Sequence, residues 1–93
     1  MMYFMNNEEE LRGKIVAYTQ MAGFADAITI VTADKGILVV EQEVEEVFEK
    51  KTTVYHDQRA EAYFFQNKYV MEELVKRNII TKEDIAKYKQ ENL

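Results

Sequence analysis

The sequence predicts a small α+β domain. Three observations carry that prediction: a β-branched hairpin between Ala27 and Val40, a long apolar stripe at helical spacing between Ala60 and Val75, and a capped helix start at Thr81. The chain has 93 residues, which is the length of one domain, read here as 1–93. A chain of this size supports one modest core. No linker, repeat or low-complexity tract divides it, and there is no proline and only three glycines to punctuate it.

The first element reads as an N-terminal helix. Asn7 can cap it, Glu10 completes a capping box three residues on, and Glu8, Glu9 and Glu10 sit where the helix dipole favours acids. Leu11, Ile15, Tyr18 and Ala22 then recur on one face, Gly23 is placed to end the helix, and Phe24 to fold back on Tyr18. Gly13 inside it costs about 1 kcal/mol relative to alanine, so the apolar stripe has to hold the element.

A hairpin follows. Ala27 to Ala33 is rich in β-branched residues and Ile37 to Val40 answers it across Asp34-Lys35-Gly36, a three-residue connection with glycine expected in the left-handed region. Pairing Val31 with Val39 and Ile30 with Val40 makes both faces apolar near the turn. The hairpin is therefore expected to be covered on both sides or paired onward with a third strand.

Residues 41–55 are open between helix and strand. Val40, Val44, Val47 and Phe48 fit a helical stripe, whereas Val40, Gln42, Val44, Glu46 and Phe48 fit one face of a strand. Five glutamates favour helix, and Thr52, Thr53, Val54 and Tyr55 favour strand. The balance goes to a strand continued to about Val44, a short helical or irregular stretch, and an extended segment.

From about Asp57 to Arg77 the pattern is one long amphipathic helix. Ala60, Tyr63, Phe64, Asn67, Val70, Met71, Leu74 and Val75 make a stripe at intervals of three and four. Asn78 is placed to cap its end. Thr81 with Asp84 then starts a short C-terminal helix, stapled by Ile80 and Ile85 and ending near Gln90. The run from Leu74 to Ile85 resembles the helix–turn–capped-helix ending of many small bacterial and phage proteins, a pattern that capping chemistry explains without any function.

Composition removes whole chemistries. Without cysteine or serine there is no disulfide, no thiolate nucleophile or metal thiolate, and no serine triad. The one histidine, His56, cannot make a two-histidine zinc motif, and Gly13, Gly23 and Gly36 are too far apart for a phosphate-binding loop. His56 beside Asp57 is the one histidine–acid neighbour pair. It reads as the start of the long helix rather than an acid–base couple, since adjacent helical residues point about 100° apart. No cofactor, metal or small-molecule substrate is expected, and an enzyme is not.

The net charge is −5, unevenly spread. Residues 1–49 carry ten acids against three bases, and residues 50–93 seven against nine. Without a basic stripe, direct nucleic-acid binding is not expected. The acidic run Glu41, Glu43, Glu45, Glu46 and Glu49 is either a solvated face or a partner-facing surface that imitates phosphates. The longest charge-free stretch, Ile15 to Ala25, is too short for a membrane span, and the apolar first residues are too short for a signal peptide. A cytoplasmic protein is the default.

Opposite its main stripe, the long helix carries Tyr55, Ala62, Phe65 and Tyr69. Two large aromatics one turn apart on an expected polar face need cover, either from the N-terminal segment or last helix of the same chain, or from a partner. These features predict a non-enzymatic protein-interaction module, self-associating as a homodimer through that helix. A small acidic inhibitor of a nucleic-acid-binding enzyme, of the kind mobile elements encode, is the alternative. An enzyme centred on His56 comes last.

Overall fold

β-branched runs set the architecture more widely than the hairpin alone implies. The computed structural model describes residues 1–21, 27–46, 49–55 and 58–92. Among these, the strands are β1 (Tyr3–Phe4), β2 (Val16–Met21), β3 (Ala27–Thr32), β4 (Gly36–Glu46) and β5 (Glu49–Tyr55); the helices are α1 (Gln58–Gln66), α2 (Lys68–Lys76) and α3 (Lys82–Asn92). The α+β class holds. β2, β3 and β4 lie side by side and antiparallel, and the outer side of β4 is shared. β1 runs parallel to its start, with Tyr3 opposite Gly36, and β5 runs antiparallel to the rest, from Val39 opposite Tyr55 to Glu46 opposite Glu49.

The N-terminal helix is corrected by the structure. The Asn7–Glu10 capping box forms, but it starts only a 3₁₀ turn over Glu8–Leu11. Gly13 takes a φ of +78°, left-handed backbone that ends the turn where a helix had been expected to continue. Ile15, Val16 and Thr19 are β-branched, and Val16–Met21 pairs with β3 from Val16 opposite Thr32 to Met21 opposite Ile28. The onward pairing that the hairpin needed is thus supplied from the segment read as helix. Ala22, Gly23 and Phe24, the expected helix end, lie outside the described residues.

The hairpin forms with its register displaced by two residues: Val31 stands opposite Ile37 and Ile30 opposite Leu38. The turn differs too. The left-handed residue is Lys35, at φ +71°, and not Gly36. Gly36 is required for another reason: a β-carbon there would meet the Met5 methyl and would lie 2.7 Å from the Tyr3 ring. In the ambiguous stretch, strand wins over helix, since β4 runs through to Glu46 and folds back as β5. Among the described residues β3 follows β4 to Ala27 opposite Glu41, and the segments Gln42–Glu46 and Glu49–Thr52 pair with each other as an arm.

The long helix is also corrected. Asn67 interrupts it with φ −83° and ψ +89°, and its side-chain oxygen accepts the Val70 N–H at 3.2 Å. Asparagine competes with the backbone for such bonds, so a polar residue inside the apolar stripe restarts the helix instead of extending it. At the other end Asn78 takes φ +58°, and the Ile79 N–H returns to the Leu74 carbonyl at 2.9 Å, the glycine-like ending expected of it. Thr81 and Asp84 form a reciprocal capping box, with bonds of 3.1 Å and 2.9 Å, and α3 runs on to Asn92.

The helices cover one face of the sheet. Tyr18, Val31, Ile37 and Val39 pack there with Met2, Phe64, Val70, Leu74, Ile80 and Tyr88. Strand alternation places Thr19, Met21, Ile28, Ile30, Leu38 and Val40 on the opposite face. Near the turn that face is closed, with Leu38 and Met5 fully buried. Farther out Ile28, Ile30 and Val40 are half-buried and Met21 is exposed.

Candidate protein-interaction surface

The expected helical interface is divided by the break at Asn67. Phe65, on α1, turns into its own chain, with ring centroids 5.4 Å from Phe64, 5.9 Å from Tyr88 and 6.2 Å from Phe4. Lys89 places its ammonium 4.9 Å from the Phe65 ring centre. The N-terminal segment and the last helix therefore provide its cover, one of the two arrangements the sequence allowed. Tyr69, on α2, stays 58% exposed, and Ala62 is exposed. Tyr55 occupies the register position opposite Val39, at the end of β5. The Tyr55 side chain lies outside the described residues.

Tyr69 is one of the groups that act on Tyr18 of β2. The Tyr18 hydroxyl has its pKa raised, first by burial and then by Tyr69 and Glu73, while Arg77 opposes the shift. Arg77 lies over the Tyr18 ring at 5.3 Å and pairs with Glu73 at 3.1 Å. Arg77, at the C-terminal end of α2, thus reaches Tyr18 of β2, the strand that ends the sheet. β2 pairs with β3 on one side, and among the described residues no strand pairs with its other side. Among the described residues its neighbourhood holds three of the five exposed large apolar side chains: Ile15 at 74%, Met21 at 73% and Val16 at 51%. The signal was legible as the charge-free run Ile15–Ala25, although helical spacing concealed that it was a strand.

Two other features were weighed. At the β3–β4 turn, Asp34 accepts hydrogen bonds from Tyr3 Oη at 2.7 Å, from Lys14 Nζ at 2.6 Å and from the Thr32 hydroxyl, which also accepts the Gly36 N–H at 3.0 Å. Lys14 above all, then Thr32 and Tyr3, hold the Asp34 carboxyl far below the usual carboxylate range. Asp34 and then Tyr3 hold Lys14 above the usual lysine range. Each partner locks the other's charge near neutral pH, so the cluster clamps the turn and is unsuited to proton transfer. Lys35 adds a 2.7 Å bond to Asp84, tying the same turn to the start of α3.

Between α2 and α3 lies a groove of about 370 Å³, lined by Met71, Val75 and Ile85 with Glu72, Lys76 and Lys82. It is apolar but shallow. Among the described residues no three histidine or carboxylate side chains converge as a metal site, and no helix is long and apolar enough to cross a membrane. His56 and Asp57 lie outside the described residues, as do the side chains of Glu41, Glu43, Glu45, Glu46 and Glu49. Their backbone placement is known for the glutamates: the first four belong to β4 and Glu49 opens β5.

Comparison with curated proteins and with solved structures gave no match. A family model described as the Bacteriophage BPS1 gene 21 protein matches residues 2–92. The match extends from the first strand through the last helix, and it fits the broader expectation of a phage or mobile-element protein. The chain belongs to the bacteriophage BPS1 gene 21 protein family.

Proposed function

We propose that this phage-family protein is a non-catalytic interaction module that works in the cytoplasm by self-association. One observation carries the proposal: three of the five large apolar side chains exposed among the described residues, Ile15, Val16 and Met21, lie on the open strand or immediately before it. Burying apolar surface is favourable by roughly 25 cal/mol per Å², and isolated exposed apolar residues are ordinary while a grouped strip is not. Of the helix residues expected to form the contact, Tyr69 and Ala62 are exposed, whereas Phe65 is engaged within its own chain.

Sedimentation equilibrium tests this directly. The wild type is expected to be dimeric at micromolar concentration, and Met21→Glu to move the equilibrium toward monomer with its urea unfolding curve unchanged. A wild type that stays monomeric throughout the accessible concentration range contradicts the proposal.

A second proposal, an acidic inhibitor of a nucleic-acid-binding enzyme, is favoured by the arm of β4 and β5. β4 carries Glu41 opposite the first residue of β3 and continues through Glu43, Glu45 and Glu46, and Glu49 begins the return strand. An acidic arm is suited to a basic cleft in place of phosphates. Its binding should weaken steeply with salt and disappear on charge reversal of Glu43 and Glu45. Affinity indifferent to ionic strength contradicts it.

A further inference from the structure

We infer that two copies join edge to edge: β2 of one chain pairs antiparallel with β2 of a second across a two-fold axis, making one continuous sheet. This rests on the self-association proposed above and specifies its geometry. The outer side of β2 has no partner strand among the described residues, so its outward N–H and C=O groups have no sheet partner there. Natural edge strands are commonly protected by charge or proline. From Ile15 to Met21 there is neither, and the one protective feature is a bulge between Val16 and Tyr18.

Charge selects a second copy as the occupant. A chain of net charge −5 repels itself at most approaches, and the longest uncharged stretch of its sequence coincides with the open edge. An antiparallel pair made from one strand is symmetric by construction: residue i of one copy faces residue j of the other and j faces i, so the contact closes as a dimer. Six residues of β2 span about 20 Å at 3.4 Å per residue. That joint alone falls short of the roughly 1,200 Å² typical of a stable interface, so the pairing requires the exposed Ile15, Val16 and Met21 side chains to add to it. A two-fold axis perpendicular to the sheet keeps both helical layers on one side; Thr19, near the middle of β2, lies next to the axis, and Met21 faces the start of the partner's strand.

The absence of native cysteine makes a clean test available, because any introduced thiol is the chain's only one. Single variants Val16→Cys, Ala17→Cys, Thr19→Cys and Met21→Cys of the full chain, each spin-labelled, are measured by pulsed electron spin resonance. Edge pairing predicts a V-shaped profile: a minimum near the middle of the strand, rising by about 7 Å per residue on either side, twice the strand rise. A dimer whose label distances show no such minimum overturns the edge geometry while leaving self-association intact. Absence of any dimer in the unlabelled wild type overturns both.

Because a label can itself weaken the joint, Thr19→Lys provides an unlabelled counterpart. It sets like charges opposite one another near the axis and should raise the dimer dissociation constant about tenfold with the circular dichroism spectrum unchanged. An unchanged dissociation constant overturns edge pairing.

Discussion

The two faces of the sheet are built from alternate residues of the same strands and meet different fates. On one, Thr29, Val31, Ile37 and Val39 are buried beneath the helices. On the other, Ile28, Ile30 and Val40 are no less apolar than their neighbours, yet they remain half-buried. Tyr3 and Met5 cover that face beside Gly36, and the cover lapses toward β2, where Met21 is exposed. Hydrophobicity therefore does not decide burial within this sheet. What decides it is where three helices and a short N-terminal strand stand, and the region they leave open is the region offered for contact.

The largest effect that separates the faces is cavity formation. Phe64→Ala removes a fully buried ring from the helical side and should cost about 3 to 5 kcal/mol in urea unfolding. Ile28→Ala on the other face should cost less than half as much, and equal losses would erase the distinction. Gly36→Ala probes the small covered part of the second face. Its new methyl would crowd Met5 and the Tyr3 ring, which Asp34 holds in place, at a cost of about 2 kcal/mol by the same measurement. A neutral outcome would mean that the N-terminal cover yields easily.

The acid limb comes next. Lys35 first, and then the Thr81 backbone, bring the Asp84 carboxyl down to about 2 in the folded chain. A depressed folded pKa gives stability that is fully present above the ordinary aspartate value of about 3.9 and is lost as pH falls toward 2. Chemical denaturation at a series of pH values should show that decline, and Asp84→Asn should flatten it. Smallest of all, Met21→Glu should change monomer stability by less than about 0.5 kcal/mol, because the side chain is already in solvent.

Much of the local chemistry was legible in the sequence. The Asn7, Asn78 and Thr81 caps and the hairpin all form, because each depends on residues within a few positions of one another. The failures share a different cause. Leu11, Ile15 and Tyr18 have helical spacing, but β3 had an open side and β-branched residues took it; that competition is decided by tertiary pairing. Asn67 matched the stripe by position and broke it by chemistry, which sent Phe65 into the core and left Tyr69 exposed. The interface was sought on a straight helix, whereas its strongest candidate lies along a strand whose signal was the missing charge between Ile15 and Ala25.

Backbone hydrogen exchange across a dilution series tests the central claim most directly, since it reads the open strand without altering a residue. Amides of Val16–Met21 should become more protected as concentration rises, while those of β3 and the core of β4 stay constant. Exchange in β2 that is independent of concentration would contradict the claim that this edge is where the protein makes its contact.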